Sequence, residues 1–353
     1  MSEKMQIAIV GATGYTGLEL VRILARHPHV QLHTLSSRSY DGKNFVDVFP
    51  NLRNIVSNVC DDIDFDSLAE IVHLIFIALP HGEAASRVNE SNLRKTKIID
   101  LGADFRLENP AQYKEWYHLD HASPQLLHQA VYGLPEFNRD AIREARVIAN
   151  PGCYATCSIL SITPLLKSDL VEPSSIIIDA KSGVSGAGRS LALGSHFNEC
   201  NESIKAYGVT THRHTPEIEQ ELSRQSGKSI KISFTPHLVP MNRGILVTAY
   251  ANLRTGVDAD AVMNAYTAAY SNCEFVRIID PRTESAQLPE TRWVKGSNFC
   301  DIGFRIDQRT GRVIVVGALD NLVKGAAGQA VQNMNLMCGF EENCGLDLVP
   351  IFP

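Results

Sequence analysis

The segment Ala149-Asn150-Pro151-Gly152-Cys153-Tyr154-Ala155-Thr156-Cys157 carries the residue best suited to covalent chemistry. Pro151 and Gly152 break the apolar run before them, and Tyr154 to Leu166 reads as a helix, so Cys153 falls at or just before a helix N-terminus. The free N–H groups and positive dipole end there lower a thiol pKa and favour the thiolate. The same N–H groups can hold an oxyanion forming at an attacked carbonyl. Cys157, one turn deeper, reads as a packing residue.

A thiolate nucleophile needs a basic or proton-shuttling partner. Thr210 to Ile218 reads Thr-Thr-His-Arg-His-Thr-Pro-Glu-Ile, which predicts a helix start with Thr215 as N-cap, Pro216 at the first helical position and Glu217 in the first turn. That start displays His212, Arg213 and His214 on the approach loop. Two histidines with no third ligand nearby suit acid–base work better than metal binding, and no metal is expected. His214 is favoured, with His212 an open alternative. Between cysteine and histidines, Lys181 to Arg189 (KSGVSGAGR) is a loop for close backbone approach to a ligand, with an arginine for an anion.

These groups require a scaffold, and the N-terminal half supplies one. Gln6 to Val10 is a strand-like run, Gly11-Ala12-Thr13-Gly14-Tyr15-Thr16-Gly17 a glycine-rich turn, and Leu18 to Leu24 has helical spacing. Strand, turn and helix in that order form a dinucleotide fingerprint, with the pyrophosphate on the helix N-terminus. Val30 to Leu35 predicts the second strand. It ends in Ser36-Ser37-Arg38, two hydroxyls and a guanidinium where an NAD enzyme usually places an acid, so NADP(H) is expected over NAD. Val72 to Pro80, Lys97 to Gly102 and Arg146 to Asn150 read as further buried strands. Helices are predicted over Glu83 to Leu93 and Arg139 to Glu144, and the alternation predicts a parallel, doubly wound sheet.

At 353 residues the chain has room for two domains, with 44% hydrophobic and 20% charged residues, as in a globular protein. A net charge of −6 argues against general nucleic-acid binding. The longest apolar stretch, Ile71 to Pro80, is too short for a membrane span, and Met1 to Met5 does not read as a secretory leader, so a cytoplasmic location is expected. The eight cysteines contain no Cys-x-x-Cys pair and no disulfide spacing.

Taken in order, the glycine turn, Asp100 to Arg106 (DLGADFR), Tyr132 to Glu136 (YGLPE), Asn150 to Tyr154 (NPGCY), Ser182 to Arg189 (SGVSGAGR), His212 to Ile218 (HRHTPEI), Phe234 to His237 (FTPH) and Asp320 to Ala326 (DNLVKGA) resemble the N-acetyl-gamma-glutamyl-phosphate reductase family of arginine biosynthesis. That family is related to aspartate-semialdehyde dehydrogenase, and the resemblance spans nearly the whole chain.

The resemblance implies a Rossmann domain over 1–150 and an α+β catalytic and dimerisation domain like that of glyceraldehyde-3-phosphate dehydrogenase over 151–321. A final helix and tail over 322–353 return to the first domain. It implies Cys153 as nucleophile and the His212 to His214 motif as acid/base. NADP(H) would be held by Gly11, Thr13, Gly14, Tyr15, Thr16, Gly17, Ser36, Ser37, Arg38, Ser182, Gly183, Ser185 and Gly186, with Asn321 near the nicotinamide. Arg106 is expected on the substrate phosphate, and Arg213, Arg243 and Glu217 on the rest of the substrate. A homodimer or homotetramer is expected. Aspartate-semialdehyde dehydrogenase and N-acetyl-aminoadipyl-phosphate reductase share this chemistry and are the nearest alternatives. A non-catalytic NADP-binding regulator would need neither Cys153 nor the histidines.

Overall fold

The computed structural model describes residues 4–283 and 287–352; Met1 to Glu3, most of the segment read for a leader, lie outside the described residues. The chain divides into two units, one of residues 1–151 with 326–347 and the other of 152–325 with 348–353. Residues 322–325, expected with the final helix, therefore group with the second unit, as does the end of the tail.

The first unit has seven strands: β1 (Met5–Val10), β2 (Val30–Ser36), β3 (Cys60–Asp61), β4 (Leu74–Ile77), β5 (Lys97–Asp100), β6 (Ala130–Tyr132) and β7 (Val147–Ala149), of which all but the short β3 and β6, unannounced in the sequence, come from the apolar runs. They form one sheet in the order β3-β2-β1-β4-β5-β7-β6, and every pairing is parallel. Ile7, Ile9, Leu74, Ile75, Phe76 and Ile77 are wholly buried, as a sheet covered by helices on both faces demands. The chain reverses direction across the sheet between β1 and β4. Ligands of doubly wound sheets bind in the crevice at such a point, beyond the strands' C-terminal ends.

Two predicted helices differ. Glu83 to Leu93 is not one helix: turns run from His81 to Arg87, and the helix is Glu90–Lys95. Asn89 and Asn92 close a reciprocal capping box that starts the helix late. The Asp104 carboxylate accepts from the N–H groups of Gly82 (2.7 Å) and Ala85 (2.9 Å), holding the preceding stretch as turns. The helix at Arg139 begins earlier, at Pro135, and is broken at Asn138, whose amide donates to the Tyr132 carbonyl at 2.9 Å.

The late helix Gly328–Met337 is buried at every position, including Gln329, Gln332, Asn333 and Asn335. Specific hydrogen bonds make that burial tolerable. Gln329 and Asn333 both donate to the Gly133 carbonyl (3.0 and 2.8 Å), and Asn335 donates to the carbonyls of Glu342 and Cys344. A Cβ on Gly133 would meet the Asn333 amide at 2.4 Å, so that glycine is required by close packing.

The second unit contains β8 (Ile177–Ser182), β9 (Lys205–Ala206), β10 (Ser233–Leu238), β11 (Ile245–Asn252), β12 (Val276–Ile279), β13 (Cys300–Asp307) and β14 (Arg312–Leu319). The sheet is mixed, in the order β12-β13-β14-β11-β8-β10-β9, with β8/β10 and β12/β13 parallel. The helix Cys153–Lys167 packs on β11 and β14. Gly317 in β14 lets it close in, since a Cβ there would lie 2.4 Å from Ser161 Oγ and 3.0 Å from Cys157 Sγ. Pro164 inside this helix cannot donate to the Leu160 carbonyl, and the hydroxyl of Tyr270 does so instead at 2.6 Å. Tyr266 likewise donates to the Ser161 carbonyl at 2.6 Å.

Candidate active site

Cys153 is the first residue of its helix, half-buried, with Gly152 as an extended N-cap that has no side chain to satisfy the first-turn N–H groups. That leaves a helix N-terminus of the kind that stabilises a thiolate. From the other side the turn after β14 presses close: a Cβ on Gly325 would lie 2.8 Å from Cys153 Cβ. Asp320 shapes this turn. Its Oδ1 accepts from the N–H of Leu322 (2.8 Å) and Val323 (3.2 Å), and its Oδ2 from Gly296 N–H (2.7 Å).

Glu217, expected against the substrate, is instead completely buried, and its Oε1 accepts from the Gly152 N–H at 2.8 Å. It therefore ties the histidine-bearing helix to the backbone immediately before Cys153. No local pattern announces this contact, because it joins residues 65 positions apart.

The histidine helix also starts differently from the expectation. It spans His214–Ser226, so Thr215 lies within it, buried, and its hydroxyl has no hydrogen-bond partner. The capping acceptor is the His212 ring, whose Nδ1 takes the N–H of His214 at 3.1 Å. His212 is half-buried, and burial first, then the Arg213 charge, push its pKa down to about 4. A neutral imidazole accepting at Nδ1 carries its proton on Nε2. His214, the first helical residue, is also half-buried rather than displayed on a loop.

Aromatic rings assemble this cluster. The His212 ring lies edge-on to His214 (4.9 Å between centroids), Tyr207 (5.4 Å), Phe234 (5.4 Å) and Tyr154 (5.5 Å). Tyr154, the residue after the nucleophile, is also 5.9 Å from the His214 ring. The Tyr207 hydroxyl donates to the Tyr154 hydroxyl at 3.2 Å, and Tyr154 donates to the His237 carbonyl at 3.0 Å. Burial raises the Tyr154 pKa far above a phenol's usual value and that of Tyr207 to about 12, so both remain neutral donors. Tyr154, Phe234 and His237 lie in motifs quoted above, but nothing in the sequence singled out Tyr207.

The loop after β8 is set by a facing turn. A Cβ on Gly183 would meet the Asn242 carbonyl oxygen at 2.6 Å, so only glycine fits. The N–H groups of Val184 and Ser185 donate to the carbonyls of Met241 (2.8 Å) and Asn242 (3.1 Å). Asn321 pins both segments: its Oδ1 accepts from Gly244 N–H at 2.8 Å and its Nδ2 donates to Ser185 Oγ at 3.0 Å. Ser182 and Gly183 are buried, Ser185 is half-buried and Gly186 exposed. Arg243 is half-buried, 3.5 Å from Asp320 Oδ2, whereas Arg213 is exposed.

In the first unit the glycine turn follows β1 at the reversal point. Gly11 has φ +86°, and a Cβ there would stand 2.4 Å from the Ala78 carbonyl oxygen. One on Gly17 would stand 2.3 Å from the Gly11 oxygen, whereas at Gly14 the nearest atom is 3.6 Å away. The outer two glycines thus serve packing, and the middle one leaves space. The helix Tyr15–Leu24 has no side-chain cap and no acid in its first turn, which suits an anion, and Tyr15 and Thr16 lie in that turn. Thr13 Oγ1 and Ser37 Oγ are 2.8 Å apart, Ser36 and Ser37 are buried, and exposed Arg38 lies 3.4 Å from Glu83. These residues fit a dinucleotide.

Arg106 is buried in the first unit, its Nε donating to the Asn150 carbonyl (2.8 Å) and its Nη2 to that of Leu101 (2.9 Å). Beside it Asp100 is fully buried, and desolvation, with the Asp104 charge adding, raises its pKa to about 7.

Comparison with known proteins places this geometry. Residues 6–145 match the model of the semialdehyde dehydrogenase NAD binding domain and residues 153–321 that of the semialdehyde dehydrogenase dimerisation domain. Proteins named N-acetyl-gamma-glutamyl-phosphate reductase from Pelotomaculum thermopropionicum and Lachnoclostridium phytofermentans are 52% and 54% identical over 349 residues. Each alignment covers 99% of this chain, and 99% and 100% of the relative. The namesake from Campylobacter jejuni is 53% identical over 97% of this chain and 98% of its own.

The chain belongs to the N-acetyl-gamma-glutamyl-phosphate reductase family.

Among solved structures, aspartate semialdehyde dehydrogenase II of Vibrio cholerae matches with a TM-score of 0.71 at 20% identity, over 96% of this chain and 99% of that one. The enzyme of Candida albicans with NADP matches at 0.66 and 15% identity, over 97% and 100%. These share the fold: an α/β chain with an NAD(P)-binding unit and a dimerisation domain. The family is one of oxidoreductases acting on acyl phosphates. No helix among the described residues is long and apolar enough to cross a membrane.

Proposed function

We propose that this chain reduces N-acetyl-L-glutamyl 5-phosphate to N-acetyl-L-glutamate 5-semialdehyde and phosphate with NADPH, through a thioester on Cys153. The observation that carries this reading is Cys153 at an uncapped helix N-terminus, fixed through Gly152 to the first turn of the helix that begins with His214.

The thiolate of Cys153 attacks the acyl carbon, the first-turn N–H groups stabilise the oxyanion, and phosphate leaves. NADPH, when bound, supplies the hydride that takes the acyl carbon to the aldehyde level. His214 gives a proton to the developing alkoxide and takes it back as the thiohemiacetal collapses, releasing the aldehyde and the Cys153 thiolate. The case for His214 over His212 is that His212 Nδ1 already accepts the His214 N–H and its ring stays neutral down to about pH 4. Tyr154 and Tyr207 hold the rings without exchanging protons at neutral pH. In this scheme Glu217 positions Gly152 and does not touch substrate.

The first unit would hold the cofactor, with the N–H groups of Gly14 to Gly17 serving its pyrophosphate and Thr13, Ser37 and Arg38 its 2′-phosphate. Asn321, with both amide ends engaged, fixes the Ser182 to Gly186 loop rather than binding freely. Arg243 and Arg213 answer the substrate's charges, and Arg106 its phosphate. The working protein is a homo-oligomer in the cytoplasm.

The test runs the reaction backwards: N-acetylglutamate semialdehyde, NADP and inorganic phosphate or arsenate should give NADPH absorbance. Aspartate semialdehyde and the N-acetylaminoadipate aldehyde run in parallel should give much less. Equal or greater turnover of either would transfer the substrate assignment to it. No phosphate-dependent signal with any aldehyde would overturn the enzyme reading.

A further inference from the structure

Ser36-Ser37-Arg38 closes β2 without an acid, but the fold brings one there from another strand. Glu83 lies on the turn after β4, and its Oε2 is 3.4 Å from Arg38 Nη2. The same oxygen accepts from Arg87 Nη1, and that nitrogen also donates to the Glu83 carbonyl at 2.7 Å. One carboxylate oxygen is thus shared by two guanidinium groups, one of them beside the Thr13 and Ser37 hydroxyls.

The position of Glu83 is set from beneath. Gly82 and Ala85, on either side of it, donate their N–H groups to the fully buried Asp104 carboxylate, and the Ser86 hydroxyl donates to the Glu83 carbonyl at 2.9 Å. The two arginines are held unequally. The Arg87 side chain is 22% exposed and binds both the carbonyl and the carboxylate of Glu83, whereas that of Arg38 is 64% exposed and stands at the longer distance. A guanidinium placed like Arg38 can turn from the carboxylate to a phosphate, which offers a matching fork of oxygens and more negative charge.

We infer that Glu83 is a tethered anion standing in for the cofactor's 2′-phosphate beside Arg38, and that NADPH binds by displacing it. Arg87 keeps the displaced carboxylate neutralised and does not itself touch the cofactor. This inference rests on the proposed 2′-phosphate role of Arg38. Glu83 then sets the preference between the two nicotinamide cofactors. It opposes the one with a 2′-phosphate, by competing for Arg38 and by repulsion between like charges, and leaves the one without it unaffected. Because the competitor is part of the chain, its concentration at Arg38 is constant and it lowers NADPH affinity by a fixed factor.

The test measures dissociation constants of NADPH and NADH on the full chain by nicotinamide fluorescence, with no turnover required. Adenosine 2′,5′-bisphosphate and adenosine 5′-monophosphate, which differ by the 2′-phosphate alone, serve as competing probes, and thermal midpoints check the fold of each variant. Glu83→Gln should tighten NADPH and the bisphosphate about tenfold and leave NADH and the monophosphate within about twofold. The gain should shrink as salt screens the charges. Arg87→Met should weaken NADPH roughly tenfold when Glu83 is present and have no effect in the Glu83→Gln background, while Arg87→Lys should bind as the wild type does. An unchanged NADPH-to-NADH ratio in Glu83→Gln would overturn the inference. So would weaker NADH binding in that variant, which would make Glu83 an acceptor for the ribose hydroxyl. Equal losses from Arg87→Met in both backgrounds would place Arg87 on the phosphate and overturn its assigned part. Arg38→Ala separates this inference from the reading beneath it. Equal losses of NADPH and NADH there would sink the 2′-phosphate role of Arg38; a loss of NADPH alone, with Glu83→Gln silent, would leave that role standing and sink the competitor.

Discussion

The glycine turn after β1 and the cysteine–histidine cluster of the second unit solve different problems by different means. The turn is built from backbone within seven consecutive residues, Gly11 to Gly17, and its specificity is absence of side chains. The cluster is built from side chains of separate segments: Cys153 and Tyr154, Tyr207, His212 to Glu217, Phe234 and His237. A phosphate cradle needs only N–H groups and room, which local chain geometry supplies. Covalent chemistry needs a nucleophile, a proton carrier and fixed orientation, which converging elements supply.

The comparison predicts that damage to the cluster strikes turnover and damage near the turn strikes cofactor affinity. Cys153→Ser should show the largest effect, a loss of kcat by at least about 1,000-fold with NADPH binding retained. Near-normal steady-state rates from that variant would end the thioester mechanism. Next, His214→Ala should lose roughly 100- to 10,000-fold in kcat. His212→Asn, which keeps an acceptor for the His214 N–H, should lose about tenfold or less. The reverse ranking would make His212 the proton carrier.

Arg38→Ala should raise KM for NADPH by about tenfold and leave that for NADH nearly unchanged; parallel losses for both cofactors would remove its 2′-phosphate role. The smallest effects concern stability. Asp100 titrates at about 7 in the folded chain and near 3.9 when unfolded, so its contribution is present at low pH and is lost as pH rises from about 4 to 7. Asp100→Asn should therefore raise the thermal midpoint at pH 8 by about 1–3 °C, with the gain disappearing near pH 4. His212 runs oppositely: with a folded pKa of about 4 against about 6.5 unfolded, it costs stability as pH falls between those values, and His212→Asn should flatten that decline.

Much of the fold was legible because its signals are local. Ile7 to Val10 and Leu74 to Ile77 are continuous apolar runs, and such runs become strands buried on both faces. The helix at Cys153 was announced by Pro151-Gly152. The helix expected over Glu83 to Leu93 failed because its first half answers to the Asp104 carboxylate, a partner remote in sequence. Thr215-Pro216 looked like a cap and first turn, but the His212 ring took the capping role one turn earlier. In both cases a tertiary or side-chain acceptor outbid the local preference.

By itself the sequence determined the main strands of the first unit, the glycine turn, the nucleophile's place at a helix start and the family. Each is encoded in contiguous residues whose conformational preferences act over a few bonds. Only the tertiary structure decided that Glu217 serves the backbone of Gly152, that His212 is a fixed neutral acceptor and that Tyr207 belongs with Tyr154. Those roles depend on which polar groups are desolvated together, and burial of distant residues against one another is a property of the packed chain.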